Sequence, residues 1–438
     1  MAHKPKAWTP MVERRTEVAV VGAGIVGLGI AWMVAGSGRT VTVVDPEPAG
    51  GATYAAAGML APVGELHYQE EGLLDLTLAS AALYPGFVAT LGADPAETGY
   101  QATRTITVGA DAADRRALSD LREVQLRNGL AVEALSVREA RTLEPLLSPQ
   151  LSAAFSVEQD HQVDPRRLAA RLQAALGVLA RNEGWATDPF IRQTATGLLH
   201  EHPADASSRV TGLQLADGST VHADEVIVAN GLAAAALTGL PDGLVLPLRP
   251  VYGDIVRLRV PEQLRPLVTA TIRGLVRGLP VYLVPRSDGT VVLGATQRED
   301  GSAAVSAGGV HQLLRDAQVL VPAVAELELI EVTARARPGT PDNAPLLGRV
   351  SRTVGAPTAA SPFRPGDPAG DIPGLIIATG FFRHGVLLTP VAAQHCVDLL
   401  DDTAGTRWAR FRPDRFSSHG MSNAPAARSH HESQGVRP

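Results

Sequence analysis

Apolar residues recur along this chain with two different periods, and the switches between them mark out its elements. Residues 18–21 are a short, largely β-branched run of the kind a buried parallel strand needs. That run passes at once into Gly22-x-Gly24-x-x-Gly27, a helical pattern over 25–37, and a second apolar strand over 40–44 that ends in Asp45. Helical spacing returns over 73–91, 113–128 and 137–143. It returns again over 164–183, where Asp164 is placed to cap the helix and Pro165 takes its first position. Alternation predicts strands over 105–108, 254–260, 281–284 and 291–294, and a hairpin over 210–223 that turns at Asp217-Gly218. Buried strands are expected over 225–229 and 375–379, helix over most of 303–330, and a last helix after 380–385. The Pro-, Ala- and Gly-rich stretch 355–373 reads as an exposed loop, and the polar residues from Ser417 onward as a disordered tail.

Strand-loop-helix units at both ends, flanking inserted antiparallel strands, predict an α/β (α+β) fold: a Rossmann-type domain assembled from separated segments, with a second domain inserted. The division expected is 15–90, 151–240 and 335–412 for the nucleotide-binding domain, and 91–150 with 241–334 for the substrate-binding domain. Residues 1–14 would be a flexible leader, with Met11 an alternative start, and 413–438 a disordered tail.

Composition changes this picture little. At 438 residues the chain can hold two sizeable cores, and 45% hydrophobic and 19% charged residues with a net charge of -6 offer no basic surface for nucleic acid or an anionic membrane. Cys396 is the sole cysteine, so no disulfide forms within the chain and no thiolate metal cage exists; its apolar surroundings make it a small buried hydrophobe. His430 and His431 have no neighbouring ligands to make a metal site. The uncharged run 18–37 follows Lys4, Lys6, Arg14 and Arg15 in the manner of a signal peptide or anchor. Its five glycines, three of them at the motif positions, argue against that reading, and a cytoplasmic protein is expected.

The motif carries specific chemistry. Gly22 permits a tight turn, Gly24 lets backbone approach a pyrophosphate, and Gly27 lets helix and strand pack closely. The helix N-terminus offers unpaired N–H groups and partial positive charge to phosphates. Asp45 lies at the spacing of a carboxylate that binds an adenosine ribose. The small residues of 50–62 would let backbone lie flat against a planar ligand. Neither His-x-x-x-His nor Gly-x-Ser-x-Gly occurs, so zinc and serine hydrolases find no support.

Over roughly residues 16–412 the chain resembles the flavoprotein amine oxidases of the D-amino acid oxidase type, in particular the glycine oxidases of thiamine biosynthesis. The resemblance rests on the glycine fingerprint with Asp45, Ala55-Ala56-Ala57-Gly58-Met59-Leu60, and Val163-Asp164-Pro165. Further along it rests on Tyr282-Leu283-Val284-Pro285-Arg286, Gly294-Ala295-Thr296, Arg337-Pro338-Gly339-Thr340, and residues 380–390. It implies non-covalent FAD. Ile25 and Val26 would cover the pyrophosphate and Asp45 the ribose; Ala52, Thr53, Ala57, Gly58 and Met59 would border the flavin. Phe381, Phe382, Arg383, His384, Gly385, Val386 and Leu387 would meet its pyrimidine edge, and Thr196 would add a backbone contact. For substrate, the family's carboxylate-binding arginine falls on Arg337, its pocket tyrosine on Tyr282, and a second pocket arginine on Arg383.

The chemistry so implied asks little of side chains. A neutral amine gives up its Cα–H as hydride to the flavin, so positioning does most of the work. A guanidinium suits the substrate carboxylate because two parallel N–H bonds fix orientation. The expected reaction is oxidation of glycine, sarcosine or D-alanine with O2 reduced to hydrogen peroxide, the imine hydrolysing to glyoxylate or entering thiazole synthesis. Relatives of this type form homo-oligomers, commonly tetramers. Pro280 and the segment Pro250-Val251-Tyr252-Gly253-Asp254 depart from the family pattern beside the expected pocket and leave substrate preference open. The alternatives are a dehydrogenase of D-amino acids or dimethylglycine with another electron acceptor, and a flavin-binding protein without amine chemistry.

Overall fold

The computed structural model describes residues 13–92, 94–352 and 370–417; the expected leader up to residue 12, most of the 355–373 loop, and His430 and His431 lie outside them. The chain opens with strand β1 (Glu13–Val21), helix α1 (Ile25–Gly36) and strand β2 (Val41–Val44), followed by the single turn α2 (Ala52–Ala55) and the short β3 (Met59–Leu60). Helix α3 (Leu74–Ala89) comes next; with the turn before it, it is apolar and long enough to pass for a membrane span by length and composition. Here it lies on the core, where Leu76, Ser80, Tyr84 and Phe87 are buried, and Ser80 and Tyr84 donate to the carbonyls of Leu387 and Val386 at 2.6 and 3.2 Å.

A first excursion runs through α4 (Pro95–Thr98), β4 (Thr105–Gly109), α5 (Ala112–Arg127), β5 (Glu133–Leu135), α6 (Val137–Leu143) and β6 (Ala153–Val157). The chain returns by β7 (His161–Gln162), α7 (Pro165–Asn182), β8 (Phe190–Ile191), β9 (Ala195–His200), β10 (Val210–Leu215) and β11 (Thr220–Val228). Asp164 caps α7, accepting from Arg166 N at 2.9 Å. The second excursion holds β12 (Arg249–Arg259), β13 (Thr271–Val276), β14 (Leu279–Pro285), β15 (Thr290–Gly294), α8 (Ala307–Leu320) and β16 (Glu328–Gly339). Strands β17 (Leu346–Ser351) and β18 (Asp371–Thr379) and helix α9 (Thr389–Leu400) complete the fold.

The first sheet has the order β17-β18-β11-β1-β2-β8, parallel from β18 to β8, with β10 and β9 continuing antiparallel from β11. Helices α1, α3, α7 and α9 cover one face of it. Helix α1 is buried almost all round, and Gly29 lets α9 come so close that a Cβ there would sit 2.3 Å from Thr389 Cγ2. The second sheet has the order β16-β12-β15-β14-β13-β4-β6-β5. On one face Ile272, Leu283, Leu293 and Val256 pack with Leu313, Ala317 and Leu320 of α8; the other face looks toward the first sheet. Between the domains lies a small apolar seam of Ala55, Ala57, Ile255, Val284 and Val292.

Several boundaries differ from the sequence reading. The stretch read as a hairpin arm plus a separate strand at 225–229 is one strand, β11, paired with β10 in its first half and with β1 along its whole length. Strand β6, counted with the nucleotide-binding segments, pairs with β4 and β5 in the second sheet; it is buried at every position and carries no alternation to reveal which sheet takes it. The boundary at 334/335 falls inside β16, and the helix expected over 303–330 ends at Leu320, with a 3-10 turn to Glu326. Residues 413–416, counted with the tail, form a 3-10 turn fastened by Arg415 to Asp342 and by Asp414 to Ser351 N at 2.9 Å.

Candidate active site

The carboxyl ends of the first sheet's parallel strands open into a cavity of about 950 Å³ that extends beneath the second sheet. At its nucleotide end the glycines do what their positions require. Gly22 has φ +103, and a Cβ on Gly27 would lie 2.0 Å from Gly22 O, so neither tolerates a side chain. No side chain caps α1 through Gly24, whose N–H groups open to the cavity, although Thr53 Oγ1 accepts from Ile25 N at 2.9 Å. Asp45 accepts from Ala23 N at 2.6 Å and Glu47 N at 2.8 Å, holding the turns on either side of the carboxylate.

The middle of the cavity is walled by Ala52, Thr53, Ala57, Gly58 and Met59 on one side and by Phe381, Phe382, Arg383, Gly385 and Val386 on the other. Gly58 is at φ +73, where a Cβ would meet Val163 O at 2.0 Å. Buried Arg286 clasps this wall, donating to Ala57 O and, at 3.0 Å each, to Val163 O and Gln162 Oε1. Burial pulls its guanidinium down to about 10. Asn230 lines the same space, and its Oδ1 is buried with no hydrogen-bond partner among the described residues, which suits a donor on a bound molecule.

At the far end stand Tyr282 and Arg337. Each lies over a glycine of a neighbouring strand. A Cβ on Gly294, opposite Tyr282 in the β14–β15 pair, would be 2.4 Å from the tyrosine hydroxyl. A Cβ on Gly253 of β12 would be 2.3 Å from Arg337 Nη1 and 2.4 Å from Nη2. Ile255 pairs with Gly294, so the two hollows are diagonal neighbours, roughly 7–8 Å apart. The hydroxyl and the guanidinium are thereby brought together on one sheet face. Arg337 makes one hydrogen bond, to Thr296 O at 3.4 Å, and no carboxylate pairs with it among the described residues. Burial raises the Tyr282 phenol, so it stays a hydrogen-bond donor.

Arg383 also faces the cavity, but it is not a free cation: it is ion-paired with Glu70 and has Glu65 Oε2 at 3.9 Å. Four other expected residues do not line the space. Gly27 packs against Gly22 behind it. Leu387 is buried under α3, and His384 is buried with Nδ1 at 3.4 Å from Glu65. Thr196 sits on β9, donating to Gln214 O at 3.2 Å; the strand beside Asp45 is β8, where Ile191 O accepts from Asp45 N at 3.0 Å.

The sequence reading also passed over Glu65 and Arg273. Both line the cavity, and Arg273 Nη1 donates to Glu65 Oε1 at 2.7 Å. Burial alone would raise the Glu65 carboxyl, yet Arg273, His384 and Arg383 together hold it at about 2. Enclosure and Arg383 in turn depress His384 to about 4. Behind them Asp160 accepts from Val63 N at 3.1 Å and Gly64 N at 2.8 Å, fixing the loop that carries Glu65; burial lifts its carboxyl to about 7. Gly253 and Gly294 were legible only once the strand register was known. Cys396 is fully buried in α9 with its thiol pushed up to about 12, which fits a packing role.

A model of the FAD dependent oxidoreductase family (DAO) matches residues 17–399. The chain belongs to this family. It is 31% identical over 417 residues to the bifunctional protein ThiO/ThiG of Synechocystis sp., covering 92% of this chain and 55% of that protein. The chain thus spans about half the length of that relative. It is also 31% identical over 397 residues to the glycine oxidase of Geobacillus kaustophilus, covering 88% of this chain and 93% of that one. The crystal structure of glycine oxidase from Geobacillus kaustophilus superposes with a TM-score of 0.75 at 28% identity, covering 92% of this chain and 99% of that chain. FAD is the family's cofactor, and the residues present fit it: a glycine turn and helix N-terminus for the pyrophosphate, Asp45 for the ribose, a wall of small residues for the flavin, and the unpartnered Asn230 oxygen.

Proposed function

We propose that the chain oxidises small α-amino acids, glycine foremost with sarcosine and D-alanine as further substrates, and passes the electrons to O2. The observation that carries this reading is Arg337, a cavity-lining cation without an acid partner among the described residues, set in the hollow of Gly253 beside the Tyr282 hydroxyl. A planar carboxylate is the group such a pair recognises, the guanidinium through two parallel N–H donors and the phenol through one O–H. The Ala57–Met59 and Phe381–Val386 segments would hold FAD, which when bound would supply the two-electron acceptor for the Cα–H bond. The chain's own residues fix the substrate: with the carboxylate held at the Arg337 end, its Cα and amino group point back toward the flavin walls. No positioned base is needed, because the amine reacts in its neutral form. With glycine, O2 and water are consumed and glyoxylate, ammonia and hydrogen peroxide are released in equal amounts.

The bifunctional relative's name joins its two halves, ThiO and ThiG, in one chain, and we place the present chain's product, an imine of glyoxylate, in thiazole formation for thiamine. Aerobic assay with glycine, sarcosine and D-alanine, measuring peroxide and the carbonyl product together, tests the proposal. Peroxide equal to glyoxylate, lost in Arg337→Ala, is expected. Amine oxidation that proceeds only with a quinone or dye, with no peroxide, would instead make the protein a dehydrogenase.

A further inference from the structure

The charges at the substrate end of the cavity do not match its number of arginines. Arg273 stands directly across the β13–β14 pair from Tyr282, on the same sheet face, so the row of polar groups runs Arg273, Tyr282, Arg337. Arg383 faces them from the opposite wall. Three guanidiniums around one small space would suit an amine with two or three acidic groups. Two acids prevent that: Glu65 is hydrogen-bonded to Arg273 at 2.7 Å, and Glu70 pairs with Arg383. Neither neighbouring imidazole adds charge, since burial and Arg383 keep His384 neutral, and partial enclosure and the same arginine lower His67. Of these three guanidiniums only Arg337 is left without a carboxylate; Arg335, which also lines the cavity, is bonded to the carbonyls of Gly50 and Ala334.

Glu65 is the acid that faces the cavity; Glu70 stands behind Arg383. Glu65 Oε2 lies 3.4 Å from His384 Nδ1 and 3.9 Å from Arg383 Nε, too far from the latter for a hydrogen bond. The carboxylate is held on Arg273 through Oε1, and its other oxygen lies toward Arg383 and His384, so the charged group sits between Arg273 and Arg383 on the cavity wall.

We propose that Glu65 is a specificity-determining residue that restricts the pocket to amines bearing a single anionic group. The inference rests on the amine-oxidation reading above for its biological meaning, but its electrostatic content is independent of turnover. A substrate's first carboxylate meets unpaired Arg337; a second one meets the Glu65 carboxylate, and like charges in a partly enclosed site repel strongly. Removing the Glu65 charge converts the same place into a second anion subsite, because it leaves Arg273 without its carboxylate while Arg383 stays paired with Glu70.

The test uses the FAD-loaded enzyme and two unreactive probes, acetate and malonate, whose binding is followed by the flavin's visible difference spectrum. Wild type is expected to bind malonate no more tightly than acetate. In Glu65→Gln the malonate-to-acetate affinity ratio rises at least about tenfold, and in Glu65→Gln with Arg273→Gln it falls back toward the wild-type value. The ratio of kcat/KM for iminodiacetate over glycine moves the same way. A Glu65→Gln protein that retains FAD and its wild-type affinity ratio overturns the proposal, as does a ratio that stays high in the double variant. Should Glu65→Gln lose FAD, Arg273→Gln decides: with Glu65 no longer offset, acetate binding weakens several-fold, and unchanged acetate binding overturns the idea. Failure of wild type to oxidise glycine would remove the amine reading while leaving the probe ratios interpretable.

Discussion

Gly253→Ala separates the site from the fold more cleanly than removal of Arg337 itself. The added Cβ would lie 2.3, 2.4 and 2.6 Å from Nη1, Nη2 and Cζ of Arg337. Ordinary carbon contacts need about 3.5 Å, so the guanidinium must retreat by roughly 1 Å. The backbone need not move: Gly253 is in an extended strand, and the obstructing atoms are the far end of a flexible side chain. Stability should therefore change by less than about 1 kcal/mol, since alanine also restricts the unfolded chain. A 1 Å displacement of a positioning group, in contrast, can lower the rate by about 100-fold. The assay is stopped-flow reduction of the bound flavin by glycine without oxygen, beside urea unfolding of the same preparations. The expected result is kcat/KM down by about 100-fold with near-normal stability and full FAD content. A variant that reduces its flavin within a few-fold of wild type would refute the claim that the Gly253 hollow seats the carboxylate clamp. Gly294→Ala is the comparison: its Cβ meets the Tyr282 hydroxyl at 2.4 Å but also Ile255 Cδ1 at 2.6 Å, so it should disturb the interdomain seam as well as the rate.

Two further outcomes are expected. Gly27→Ala puts a Cβ 2.0 Å from the backbone oxygen of Gly22, which has no flexible side chain to give way; stability should fall by about 3 kcal/mol or more, with loss of FAD, seen in urea titration and flavin content. His384 is buried and its imidazole is held at about 4 by burial and Arg383, while the unfolded chain takes up that proton near pH 6.5. The stabilisation is complete above pH 6.5 and is lost as the pH falls through 4, amounting to about 3 kcal/mol at most; His384→Asn should flatten the fall in unfolding free energy between pH 6.5 and 4.5, and an unchanged slope would contradict the assignment.

The nucleotide half of the site was legible because its constraints are local. A tight turn, a helix N-terminus and an acid at the end of the second strand are fixed by residues within one β-α-β unit, and each requires a particular residue type. Arg337 and Tyr282 were reached through the motifs around them. The hollows that seat them were not, since Gly253 and Gly294 acquire meaning only when β12, β15 and β14 are set in register. Glu65 and Arg273 were missed for a related reason. They lie some two hundred residues apart, one in a loop without period and the other in a strand whose Thr-Ile-Arg-Gly-Leu-Val sequence hides its alternation. Arg383 was read as a pocket cation because nothing near it in sequence announces Glu70. Two-residue β8 and evenly buried β6 show the limit for strands: with no alternation, the partner is decided by tertiary pairing alone.

The claim on which the account turns is that this cavity brings a small amino acid to FAD through Arg337. Adding glycine to the oxygen-free, FAD-loaded protein and watching the flavin's visible band tests it most directly. The band should bleach with glycine and return with one equivalent of peroxide when air is admitted, and Arg337→Ala should leave it unbleached at the same glycine concentration. A flavin that glycine, sarcosine and D-alanine all leave oxidised, or one that bleaches equally well without Arg337, would contradict it.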